Sequence, residues 1–201
     1  MKAIDILYDE HRSLAAVLQG LRHLVREIDA GRMAPDFRLF DAMLYYIDAF
    51  PERFHHPRED EYLFRRVRAR APAAAAIVAR LEREHREGGA RIRALALALE
   101  RYRAGGAREF AAFRDAVDDY AQFHWKHMRA EEDELLPLAR AHLTEDDWRE
   151  ADAGFAAATD PLHGAPGAEY DALFRRIVTL APPPIGVGPA PTTGKTTGET
   201  S

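Results

Sequence analysis

Apolar residues recur at every third or fourth position through long stretches of this chain, and in three of those stripes a histidine stands where a leucine belongs. The first stripe is Ile4, Leu7, His11, Leu14, Leu18, Leu21, Val25 and Ile28. A later one is Val78, Leu81, His85, Ile92, Leu95 and Leu99, and another is Phe113, Val117, Tyr120, His124, His127, Glu131, Leu135 and Leu138. A step of three to four keeps side chains on one face of an α-helix. The spacing predicts helices over about 3–30, 72–105 and 108–141. A further helix starts after Pro35, with Asp36 as N-cap, and runs through Phe40, Met43, Leu44 and Ile47 towards Phe64. Pro51 and Pro57 lie inside it, where each removes a backbone donor, so kinks are expected there. Four long helices with short connections favour an all-α, up-down-up-down four-helix bundle.

Beyond this bundle, Thr144-Glu145-Asp146-Asp147 has the pattern of a capping box for a short helix to about Ala158. A second short helix is expected over 168–180, packing through Tyr170, Leu173, Phe174 and Ile177. From Ala181 the chain is mostly Pro, Gly and Thr, a composition expected to be disordered. The expected organisation is a bundle over 1–142, a helical extension packed on it over 143–180 and a disordered tail over 181–201.

Composition narrows the chemistry. There is no cysteine, which excludes disulfides, thiolate metal sites, iron–sulfur clusters and cysteine nucleophiles. A net charge of -5 gives no basic footprint for nucleic acid. No apolar run is long enough to span a membrane, and Met1-Lys2-Ala3-Ile4-Asp5 does not read as a signal peptide. A cytoplasmic location is the default expectation. No Gly-x-Ser-x-Gly turn or phosphate-cradling glycine loop points to a hydrolase or a nucleotide enzyme.

A buried imidazole without a partner costs a few kcal/mol. One such residue is ordinarily a hydrogen-bonded core histidine. Three in one interior, at His11, His85 and His127, are satisfied together by a shared cation. His55 and Glu59 stand four apart, as do His127 and Glu131. That spacing puts an imidazole and a carboxylate on one helix face. Two such pairs can hold two metals, each carboxylate bridging between them. His23/Glu27 and His142/Asp146 share the spacing but fall outside the apolar phase, so they read as surface pairs. Nitrogen and carboxylate donors without sulfur suit iron, manganese or zinc.

The order of His11 in Asp9-Glu10-His11-Arg12, then His55-His56-Pro57-Arg58-Glu59-Asp60-Glu61, then Glu84-His85, then His127-Met128-Arg129-Ala130-Glu131-Glu132 with Leu135-Leu136-Pro137, resembles the hemerythrin-like (HHE cation-binding) family over about residues 3–141. The resemblance implies a four-helix bundle around a non-haem centre of two iron ions, oxo- or hydroxo-bridged. It implies His11, His55, His85 and His127 as terminal ligands and Glu59 and Glu131 as bridging carboxylates. It further implies dioxygen, or another small diatomic molecule such as nitric oxide, as the partner, bound or sensed at the metals.

Oxygen carriers of that family place two histidines one turn apart on the third helix. Here the neighbours of His85 at that spacing are Leu81 and Gly89. Two residues are candidates for the vacancy: His56, otherwise a surface residue, and His124, otherwise a group orienting a ligand or bound water. A centre short of one protein ligand has an extra open position, which favours reactivity over reversible carriage. The alternatives are a ferritin-like diiron oxidase or a peroxide- or nitric-oxide-consuming enzyme, and a metal-free helical interaction module. The ferritin-like pattern would use Glu52-x-x-His55 and Glu82-x-x-His85, although Glu52 and Glu82 read more simply as solvated.

Overall fold

The computed structural model describes residues 1–157, together with 175, 177–179, 181 and 186. The described residues are helical, with no strand among them. Helix α1 is Lys2–Asp29. A continuous helical run over 37–70, here α2, follows. A single 3-10 turn, Pro72–Ala74, leads into α3, Ala75–Gly105. The run over 107–142 is α4, and Glu145–Ala156 is α5. No helix is long and apolar enough to cross a membrane. The expected helix over 168–180 and the tail over 181–201 lie largely outside the described residues.

Local chemistry accounts for these boundaries. The Asp36 carboxylate accepts from the backbone N–H groups of Arg38 at 3.0 Å and Leu39 at 3.1 Å, capping α2 as its sequence implies. Helix α5 opens on the expected capping box. Thr144 Oγ1 accepts from the Asp147 N–H at 3.2 Å, and the Asp147 carboxylate accepts from the Thr144 N–H at 3.0 Å.

Helix α2 continues through both internal prolines by widening its turns. It is π-helical over Asp48–His55, α-helical over His56–Glu59 and π-helical again over Asp60–Phe64. Helix α4 widens likewise over Glu131–Leu135, just before Pro137. A proline ring collides with the carbonyl four residues back, and a turn closed by i→i+5 bonds moves that carbonyl away. Each π stretch also shifts the face presented by everything after it. That shift carries His55 and Glu59 into the interior, whereas Glu131 opens its π stretch and keeps the α-helical step from His127.

Two apolar clusters fill the fold. One gathers Leu14, Leu21, Phe40, Ile47, Ile92, Leu99, Phe113 and Tyr120. The other gathers Ile4, Leu7, Phe64, Val78, Leu81, Leu135 and Phe155. Burying each such side chain stabilises by about 1.5–3 kcal/mol. Along α1, α2 and α3 the polar residues of interest fall between the positions belonging to these two clusters, and on α4 they lie where the two clusters meet. They form a buried polar layer sandwiched by apolar ones. Helix α5 closes the second cluster through Ala151 and Phe155, and the Ala3 N–H donates to Asp152 at 2.7 Å.

Candidate metal centre

The six residues singled out by pattern meet in this layer. His11, His55, Glu59, His85, His127 and Glu131 are all buried, and Glu59 and Glu131 are 0% exposed. The four imidazoles turn Nε2 towards the two carboxylates. Glu59 Oε1 lies 3.8 Å from His11 Nε2 and 3.3 Å from His55 Nε2, while its Oε2 lies 3.5 Å from His85 Nε2. Glu131 mirrors this, with Oε2 at 3.2 Å from His11 Nε2 and Oε1 at 3.0 Å from His127 Nε2 and 3.5 Å from His85 Nε2. Each carboxylate therefore gives one oxygen to each half of the layer. One half collects His11, His55 and Glu59; the other collects His56, Glu59, His85 and His127.

The outer nitrogens follow a cyclic rule. Glu10 on α1 holds His55 Nδ1 of α2 at 2.7 Å. Asp60 on α2 holds His85 Nδ1 of α3 at 2.9 Å. Glu84 on α3 holds His127 Nδ1 of α4 at 2.8 Å. Glu132 on α4 holds His11 Nδ1 of α1 at 2.8 Å. Each orienting acid is the sequence neighbour of an interior histidine or glutamate on its own helix. Successive residues are about 100° apart on a helix, so the neighbour of an inward residue faces the seam with the next helix. A carboxylate on Nδ1 fixes the tautomer whose bare Nε2 lone pair points inward, which is the arrangement found around metal-bound histidines.

The interior is compatible with a bound cation. All four carboxylate oxygens of Glu59 and Glu131, together with His11 Nε2, are buried and lack a hydrogen bond. Buried polar groups without well-formed hydrogen bonds are costly, and a cation among them would satisfy them together. His85 Nε2 and His127 Nε2 face each other at 3.0 Å. With Asp60 and Glu84 on their outer nitrogens, both rings could turn these inner nitrogens to one shared cation. The donor set fits a pair of nitrogen- and oxygen-loving metal ions.

In the metal-free chain the electrostatics favour proton-sharing between the imidazoles and Glu131. His11, His85 and His127 are all raised above the ordinary histidine value against the burial that would lower them, and these protons are the ones a cation would displace. Burial, then repulsion from Glu131, pushes the Glu59 carboxyl well above its usual range. Burial works in the same direction on Glu131, but the His127, His11 and His85 imidazoles outweigh it and hold that carboxyl well below. Burial disfavours a charged His127, yet Glu131 and Glu84 raise it to about 9. Burial leads in lowering His55 well below its ordinary value and His56 to about 3, which leaves both as neutral potential donors.

The hemerythrin HHE cation-binding domain model matches residues 2–139. The chain belongs to that family. No curated protein and no solved structure matches it.

Within this hemerythrin-like domain, several residues differ from their reading in the sequence. His56 is not a surface residue. It is buried, stacked on His85 with ring centroids 4.2 Å apart, and grouped with Glu59, His85 and His127. His124 is 0% exposed, and neither ring nitrogen makes a hydrogen bond; its Nε2 lies 3.6 Å from Glu52 Oε1. Glu52 is not solvated either. Its carboxylate lies between His56 Nδ1, at 3.6 Å, and His124, and the Tyr120 hydroxyl donates to it at 3.2 Å. Gly88 of α3 lies against that carboxylate, and a Cβ there would overlap it. Glu82, by contrast, pairs with Arg68 outside the polar layer. The orienting acids Glu10, Asp60, Glu84 and Glu132 were not singled out by pattern. Their signal was their place beside an inward ligand.

Proposed function

We propose that this protein holds two iron ions, oxo- or hydroxo-bridged, and binds or senses a small diatomic molecule there, dioxygen first and nitric oxide as the variant. The observation that carries the reading is the pair of buried carboxylates, Glu59 and Glu131. Glu59 belongs to both clusters of inward imidazole nitrogens, and Glu131, outside those two tightest groups, still reaches His11 with one oxygen and His85 and His127 with the other. His11 and His55 would serve one ion. His85 and His127, joined by His56, would serve the other. Glu59 and Glu131 would bridge. We read the four long helices as an up-down-up-down bundle over 1–142, with 143–180 as its extension, and the location as cytoplasmic.

When bound, the ion pair supplies an open coordination position and reversible one-electron chemistry. This chain's residues do the rest. The cyclic set Glu10, Asp60, Glu84 and Glu132 keeps every terminal imidazole in the binding tautomer. Leu81, Ile47 and Ile92, packed above and below the layer, exclude water from it.

A ligand-consuming enzyme is the second reading, and one observation favours it. Tyr120, Glu52 and His124 line the side of His56 with groups able to donate or accept a proton. Simple carriage has little use for them.

The test is anaerobic loading with ferrous iron, followed by a metal count and by exposure to oxygen, peroxide and nitric oxide in turn under absorption spectroscopy. About two irons per chain with a reversible oxygen-dependent spectrum supports binding or sensing. Irreversible oxidation with repeated consumption of one reagent supports the enzyme. Failure to retain any metal after careful reconstitution defeats both and leaves the metal-free helical module.

A further inference from the structure

Three of the four orienting acids sit at the edge of solvent, and the fourth does not. Side-chain exposure is 40% for Asp60, 23% for Glu84 and 35% for Glu132, against 14% for Glu10. Glu10 is also tied to a second buried group. Arg58 Nη2 lies 2.5 Å from each of its carboxylate oxygens. The guanidinium is itself buried, centred 4.0 Å over the Phe54 ring and 5.1 Å from the Phe155 ring. Its Nη1 donates to the backbone carbonyl of Phe155 at 3.1 Å. A continuous chain therefore runs from the carbonyl of Phe155 on α5, through Arg58 and Glu10, to His55 Nδ1, and His55 Nε2 faces Glu59.

Helix α5 lies beyond the residues that the family model covers, which end at 139. It is seated by Asp152 on the Ala3 N–H, by the Glu150 pair with Arg66, and by Gly154 against the Tyr62 ring. A Cβ on Gly154 would overlap that ring, so the helix approaches as closely as it does only with glycine at this position.

We infer that α5 is a working part of the half-site formed by His11, His55 and Glu59, with Arg58 as the positioning residue that joins them. Arg58 holds Glu10 at the Nδ1 of His55, and the Phe155 carbonyl and ring hold Arg58. Undocking α5 frees the guanidinium, lets Glu10 turn to solvent and releases the His55 ring. Linkage makes the effect reciprocal. Metal at this half-site tightens the seating of α5 by the same factor that loss of α5 weakens the metal. Among the described residues, Asp60 and Glu84, which orient the other half-site, have no hydrogen bond to Arg58 or to α5. The inference rests on the two-metal reading above.

The experiment uses the full chain with ferrous iron under anaerobic conditions, comparing wild type with Gly154→Leu and Arg58→Met. In wild type, amide hydrogen exchange over 145–156 slows on loading. In both variants one of the two metals binds about tenfold or more weakly, as for loss of a ligand-orienting partner, while the other keeps its affinity. A purely structural lesion would weaken both alike. Hydrogen exchange in wild type decides the matter even if a variant fails to fold. Wild-type protein that takes up two irons with no change in exchange over 145–156 overturns the inference and leaves the two-metal reading intact. So do variants that weaken both metals equally. Wild-type protein that takes up no iron removes the two-metal reading and this inference together.

Discussion

Glu132, near the C-terminal end of the fourth long helix, meets His11 of the first at 2.8 Å and closes a ring of acid–imidazole pairs around the interior. Each helix orients the histidine of the next one. Removing one acid leaves its imidazole in place but free to rotate and to change tautomer. Glu132→Ala and Glu84→Ala should each lower iron affinity by about 10–100-fold with little loss of helix. Chelator competition alongside circular dichroism measures both quantities. Unchanged affinity in both variants would mean that the ring is ornamental.

The two extra histidines should separate cleanly. His56 is grouped with Glu59, His85 and His127 within reach of one ion, whereas the acidic neighbour of His124 is Glu52, at 3.6 Å, and neither Glu59 nor Glu131. His56→Ala should drop the iron count from about two towards one per chain, because its half-site loses a nitrogen donor. His124→Ala should keep the full count and change only the rate or reversibility of the response to oxygen or peroxide. Elemental analysis after desalting tests the first expectation and stopped-flow absorption the second. Equal loss of iron in the two variants would contradict this assignment.

The stripes of the first, third and fourth helices were legible because their 3.6-residue phase runs undisturbed through His11, His85 and His127. His55 and Glu59 could be found only by spacing. The π turn at Asp48–His55 adds to the helical phase, so no count carried across Pro51 reveals which way they point. The same shift concealed Glu52 and His56, which a straight helix would have left ambiguous or solvated. The orienting acids stayed hidden for another reason. A glutamate beside an inward histidine looks like any surface charge until the neighbouring helix is known. Arg58 and Phe155 are 97 positions apart, and no local pattern links them.

Acid should loosen the cap of α5 in a predictable window. The Arg70 guanidinium and the Thr144 hydroxyl and backbone hold the Asp147 carboxyl down at about 2, against an ordinary 3.8. A depressed carboxyl contributes stability that is complete above its unfolded value and is lost as pH falls through its folded value. The stability difference between wild type and Asp147→Asn should therefore stay constant above about pH 4 and shrink between about pH 4 and pH 2. Urea unfolding of the metal-free chain at several pH values reads the difference directly. A gap that persists undiminished at the lowest pH would show that the charge of Asp147 contributes nothing.

Gly88 offers the sharpest packing test. Its missing Cβ makes room for the Glu52 carboxylate, which Tyr120 holds at 3.2 Å with His56 and His124 on either side. A flexible glutamate would ordinarily swing away from an added methyl group. This one is buried and hemmed in by two imidazoles and a phenol, so the strain must pass to them. Gly88→Ala should destabilise the protein by about 1–3 kcal/mol, even though alanine is the better helix former. The same variant should perturb the half-site that contains His56 and spare the one that contains His11 and His55. Urea unfolding gives the first result, and site-resolved iron titration gives the second. A more stable Gly88→Ala protein would mean that Glu52 has room to leave, and that the polar wall beside His56 is not fixed by the packing of the third helix.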